Sequence, residues 1–156
     1  MKRAILILMG FSPILIGLFI NHQIAGWRAA QQIPTGMLTR VGIAMLVMWG
    51  CMAWLSDKLV ESRHESLLFL NAGATVALAS YMVHELLLDS FFTGIFGLLT
   101  QWFYLPMFFL SAHTLSTLSI DNRLVVTTAS YCLLVMMAIL GTKLSPKFRG
   151  TSLLSR

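Results

Sequence analysis

Apolar positions along this chain gather into long runs and do not alternate with polar ones. Five runs stand out, at 4–20, 37–55, 67–88, 91–110 and 124–141. Each is close to the roughly 20 residues a helix needs to cross about 30 Å of hydrocarbon. Lipid offers the backbone no hydrogen-bond partners, so each run is predicted to be a helix that pairs its own N–H and C=O groups. A membrane barrel would need strict alternation, which is missing here. The expected fold is all-α, a polytopic transmembrane helical bundle. It forms one membrane domain over 1–156, with a basic, polar tail at 142–156.

The first run follows Lys2 and Arg3 and could be read as a secretory signal. Its apolar core exceeds the usual length of about 7–15 residues, and Asn21-His22-Gln23-Ile24-Ala25 offers no small-x-small cleavage site. It is therefore expected to remain as a span, with Pro13 kinking it. The fourth run is the most ambiguous. Only Asp89 and Ser90 part it from the third, and it carries Gly94, Gly97, Trp102, Tyr104 and Pro106. A re-entrant or broken segment is the alternative to a fifth span.

The cations sharpen that choice. If all five runs cross, Lys2, Arg3, Lys58, Arg63 and Arg123 share one side. Arg28, Arg40, Lys143, Lys147, Arg149 and Arg156 share the other, and five against six selects no orientation. If 91–110 dips in and returns, the last four cations join the first side and Arg123 leaves it. The balance is then eight against three, a clear bias. Hydropathy favours five spans and charge favours four. The expectation is five, or four if 91–110 is re-entrant.

Composition agrees with a lipid exterior. Apolar residues make up 57%, charged residues 11%, and the mean hydropathy is +0.79. A soluble domain carries about 25% charged residues to cover its surface. The net charge of +5 sits between and beyond the apolar runs, so it reads as topology and not as a nucleic-acid surface. Cys51 and Cys132 lie inside apolar runs without metal-ligand or redox spacing, and are expected as buried, reduced thiols.

Ionisable groups near a membrane interior are costly and draw attention as candidate sites. One cluster comprises His22, His84, Glu85 and Asp89, with Arg28 nearby. Glu85 and Asp89 are four apart and share a helix face. Together these groups could bind a ligand or an ion; the plainer reading is solvated groups at headgroup level. A second cluster is 57–65. Its Glu61 and His64 have the Glu-x-x-His spacing of a helical metal ligand pair, but the motif occurs once where a di-metal bundle needs it twice. The plainer reading there is a short, solvated, salt-bridged helix. No metal or other cofactor is expected. Haem is disfavoured because His84 and His113 fall on opposite sides of a five-span bundle, and His22 and His84 lie at its edge. Met45, Met48 and Met52 are only a faint copper-type array.

In the third run, Asn71, Gly73, Thr75, Ala77 and Ser80 place small and polar residues near helical spacing. They suit close helix packing, with Asn71 bonding across the contact, or else a polar path. This run is the expected central helix. No nucleophile motif or phosphate loop appears, and nothing favours an enzyme. The leading expectation is a multi-pass protein of the plasma or inner membrane, acting as an accessory or structural subunit. It would pack in the lipid bilayer against another membrane protein or a second copy of itself, without nucleic acid. The alternatives are a small oligomeric transporter or channel using the third run's polar face, and a membrane-embedded enzyme on a lipid-like substrate.

Overall fold

The computed structural model describes residues 2–29, 34–60, 62–86, 95–119 and 122–146. They form α1 (Lys2–Ala29), α2 (Thr35–Leu59), α3 (Arg63–Leu86), α4 (Ile95–Ser116) and α5 (Arg123–Leu144), with no strand among them. The all-helical expectation holds. α1 continues well past the apolar run that predicts it, and Pro13 sits inside it without ending it. The predicted short helix at 57–65 does not form as a separate element: α2 runs to Leu59 and α3 starts at Arg63. Asn122 starts α5 by accepting from Leu124 N at 2.9 Å and from Val125 N at 3.4 Å. That satisfies two of the N–H groups that a helix start leaves unpaired.

α1, α2, α3 and α5 are each long and apolar enough to cross a membrane. The outer surface of the bundle fits that role. Leu8, Leu15 and Leu68 are 72%, 71% and 68% exposed, while Ser56, Ser66, Ser111 and Ser130 are buried. A bundle that met water would hide those leucines; hydrocarbon accepts them and repels unpaired hydroxyls. Cys51 and Cys132, expected as buried, are exposed on this outer surface.

Side-chain contacts fix the direction of every long helix. Arg3 on α1 pairs with Glu65 on α3, and Gly10 lies against Leu70 and Gly73, so α1 and α3 run parallel. Ser12 on α1 donates to Met52 Sδ on α2 at 3.7 Å, and Ser56 on α2 meets Ser66 on α3, so α2 runs back. α3 and α5 are antiparallel. Arg63 Nη2 donates to the Ser145 carbonyl at 3.4 Å, the Thr75 and Tyr131 hydroxyls lie 3.3 Å apart, and Tyr81 lies beside Thr127. α3 therefore ends where α5 begins. The chain between them leaves one end of the bundle and returns to it, with no net crossing.

Four helices of spanning length, with α3 ending where α5 begins, are compatible with the four-span alternative, in which the fourth run is re-entrant. α4 wedges between α1 and α2, which barely touch each other, and also meets α3 and α5. Its Tyr104 hydroxyl donates to the Ala74 carbonyl in mid-α3 at 2.7 Å. Its Phe109 packs with Ile24, near the end of α1, and Leu38, near the start of α2. α4 advances toward the end that holds Arg28, Glu85 and Arg123, here called the open end. Lys2, Lys58, Arg63 and Lys143 mark the opposite, sealed end. The principal core lies between them, around Trp49, Leu70, Ala74, Phe103, Met107 and Leu134.

Two pairs of glycines set how closely these helices approach. Gly10 and Gly73 bring the α1 and α3 backbones together, and Gly50 and Gly141 do the same for α2 and α5. A side chain at Gly10, Gly73 or Gly141 would drive a Cβ into a backbone carbonyl of the facing helix, whereas at Gly50 it would meet the end of the Met137 side chain. Small residues serve this purpose in membranes, where association depends on packing and not on expulsion of water.

Candidate functional site

A cavity of about 510 Å³ opens at the α4 end of the bundle. Ligand pockets usually measure about 300–1,000 Å³. Its walls come from four helices. α1 supplies Asn21, Ile24 and Arg28; α3 supplies Tyr81; α5 supplies Arg123 and Thr127. α4 supplies Thr100, Gln101, Tyr104, Leu105, Phe108 and Phe109. These α4 positions follow the three-and-four spacing of one helix face, so α4 turns a single mixed face to the cavity.

The lining divides by chemistry. Ile24, Leu105, Phe108 and Phe109 make an apolar wall, with the two phenylalanine rings edge to face at 6.1 Å. Asn21, Gln101, Tyr81 and Thr127 are polar, and Arg28 and Arg123 are both exposed. Glu85 is close enough to Tyr81 to influence it, and so is Arg123. The cavity therefore has an apolar wall, hydrogen-bonding groups and a positively charged rim.

α4 is firmly held where it builds this wall. The Trp102 backbone presses against Gly17 of α1, where any larger residue would displace it. Ser130 Oγ donates to Ser111 Oγ at 2.8 Å, tying α4 to α5. With the Tyr104 bond to Ala74, α4 is fastened to three neighbouring helices.

The ionisable residues singled out from sequence are arranged differently. His22 is exposed, and His84 uses Nδ1–H to donate to the Ser80 carbonyl in its own helix at 2.8 Å. Glu85 borders the cavity through Tyr81, and Asp89 lies outside the described residues. His64 is exposed on the first turn of α3, and Glu61 lies outside the described residues. Among the described residues no three of His, Cys, Asp and Glu come together as metal ligands.

The polar stripe of α3 splits between two faces. Gly73 and Ala77 are buried in helix contacts. Asn71 is also buried, yet its Nδ2 donates back to the Leu67 carbonyl at 2.9 Å and not across a contact. Its Oδ1 has no hydrogen-bond partner among the described residues. Thr75 turns outward and donates to the Asn71 carbonyl at 3.0 Å, beside the Tyr131 hydroxyl. Ser80 is half-buried.

Sequence reasoning missed the cavity and read Asp57 only as part of the solvated stretch 57–65. The Asp57 carboxylate is instead fully buried at the sealed end, 3.8 Å from Arg63 Nε. Ser56, Ser66 and Ser145 are buried around the same junction of α2, α3 and α5. A carboxylate two residues beyond an apolar run and six before an arginine was the available signal.

These features define an all-helical bundle with four helices of membrane-spanning length, α4 packed among them, and an amphiphilic cavity at one end. No family model, characterised protein or solved structure matches the chain.

Proposed function

We propose that this chain is a multi-pass protein of the cell membrane that binds an amphiphilic small molecule in the cavity at its open end. One observation carries the reading: a single α4 face brings an apolar wall and polar groups into the same cavity. A purely apolar ligand would set hydrocarbon against the polar part of the lining, Asn21, Tyr81, Gln101 and Thr127. A purely polar ligand would leave Leu105, Phe108 and Phe109 against water. An amphiphile meets both demands, and the end of a membrane bundle gives it a route from the lipid. The cation bias of eight against three puts the sealed end in the cytoplasm and the cavity on the opposite surface.

The test uses protein in phosphatidylcholine nanodiscs and a neutral alkyl glycoside bearing a photoreactive diazirine. Crosslinks at 100–109 and at Ile24, suppressed by Leu105→Trp, are expected. Crosslinks confined to outward residues such as Leu8 and Leu68 would mean boundary lipid alone and would end this reading.

A second reading, an accessory subunit, draws on the α3–α5 face. Thr75 and Tyr131 place hydroxyls on the outer surface of apolar spans, above an open groove that also holds Asn71. A hydrogen-bonding side chain from a partner helix suits those hydroxyls better than an acyl chain does. Cysteine crosslinking from Thr75→Cys, in a chain lacking Cys51 and Cys132, checks it. Only lipid adducts at that position would count against a partner.

A further inference from the structure

The geometry points to an anionic headgroup, a phosphate or carboxylate, as the polar end of the ligand; this rests on the amphiphile reading above. Both cations of the rim belong to the cavity lining. Arg28 closes α1 and Arg123 opens α5, so two helices far apart in sequence bring guanidinium groups to one opening. Arg28 makes no ion pair or hydrogen bond with any described residue. Arg28, exposed at the rim, is therefore an anchor for an anion. A guanidinium presents a planar set of donors that matches two oxygens of a phosphate or carboxylate, and charge-assisted bonds of this kind are about twice as strong as neutral ones.

The rest of the lining fits the same ligand. Asn21 stands two turns before Arg28 on α1 and offers an amide donor to the headgroup. Leu105, Phe108 and Phe109 line the α4 side of the cavity beside Ile24 and receive the first methylenes of a chain. A long basic side chain at a membrane end extends toward headgroups while its stem rests on apolar surface, which places the charge at the depth of lipid phosphates. The ligand is thus an anionic amphiphile. It enters either from the surrounding leaflet or as a soluble anion that lacks a useful tail, and the tail decides between these sources.

Equilibrium binding of radiolabelled dodecyl phosphate to the full chain in phosphatidylcholine nanodiscs tests the inference, with empty nanodiscs as background. Dodecyl phosphate is expected to bind about tenfold more tightly than dodecyl phosphocholine or dodecyl maltoside. Arg28→Gln is expected to cut that preference to within about twofold, and Arg28→Lys to restore part of it. Arg28 is exposed at a helix end, so these variants fold. Inorganic phosphate is expected not to compete at concentrations where dodecyl phosphate saturates.

Equal affinity for the charged and neutral amphiphiles would overturn the anionic assignment and leave the amphiphile reading standing. Inorganic phosphate competing as well as dodecyl phosphate would overturn the lipid source. Binding of none of the amphiphiles above background would remove both readings. Unchanged selectivity in Arg28→Gln would overturn the role given to Arg28.

Discussion

The two ends of this bundle are built from the same four long helices, yet at one small side chains pack between α2, α3 and α5, and at the other an inserted helix lines a cavity. At the sealed end, Gly50 and Gly141 let α2 and α5 touch along their backbones. The remaining space holds small side chains, Ser56, Ser66, Thr142 and Ser145, with Asp57 buried among them and Arg63 beside it. At the open end, α4 wedges between α1 and α2, and the residues facing inward are long or aromatic. Those side chains reach a cavity without closing it. Hydropathy is similar along each span, so the difference lies in side-chain size and in the inserted helix.

The comparison breaks most readily at the glycine contacts. Gly141→Leu puts a branched side chain into the Gly50 carbonyl and the Ala53 methyl, both on a rigid helix. Overpacking costs about 1–3 kcal/mol or more even where side chains can yield, and here backbone must move. Loss of the monodisperse species in detergent chromatography is expected. A wild-type profile would show that α2 and α5 are not in contact as described.

Next comes the buried carboxylate. Arg63→Ala removes a cation 3.8 Å from a fully buried Asp57. Removing a partner from a buried charge costs about 3–5 kcal/mol, whereas exposed pairs are worth about 0–1. Arg63 is 43% exposed, so a loss of about 2 kcal/mol is expected from thermal melts in detergent. A shift no larger than that of Lys58→Ala would show that the sealed end does not depend on this pair.

Smaller effects belong to the open end. Tyr104→Phe deletes the hydroxyl that ties α4 to Ala74. Side-chain hydrogen bonds inside membranes average about 0.6 kcal/mol and reach about 1.7, so a loss of about 1 kcal/mol is expected. Amphiphile binding should weaken at the same time, because the α4 wall shifts. Leu105→Trp should change stability by less than about 1 kcal/mol and still abolish binding, since it fills space that the fold leaves empty. A variant that melts early while binding normally would place the cavity elsewhere.

The spans were legible in the sequence because lipid insertion is a local property. A run of about 20 apolar residues inserts whatever its neighbours do. Local hydropathy does not report whether a run crosses or returns, so for 91–110 it leaves a fifth span and a re-entrant segment both open. The cations held the missing information: moving the tail beside Lys2 and Lys58 turns five against six into eight against three. The cavity was harder to foresee. Asn21, Arg28, Gln101 and Arg123 are each ordinary residues at a membrane boundary, and they become a site only when α4 lies between α1 and α2. The clustered His84, Glu85 and Asp89 attracted notice because they adjoin in sequence. In the fold, His84 bonds to its own helix, Glu85 lies near Tyr81 of the cavity lining, and Asp89 lies outside the described residues. Gly73 lies in a close helix contact, while Thr75, from the same stripe, faces outward.

Sided cysteine labelling tests the return of α4 most directly. In a chain with Cys51 and Cys132 replaced by alanine, single cysteines are placed at Arg28, Lys58, Ser119 and Lys143. A membrane-impermeant maleimide is then applied to sealed, oriented vesicles. Ser119→Cys should label from the same side as Arg28→Cys, with Lys58→Cys and Lys143→Cys protected until the vesicles are opened. Labelling of Ser119→Cys together with Lys58→Cys would mean that the fourth run crosses the membrane, and the open end described here would not exist.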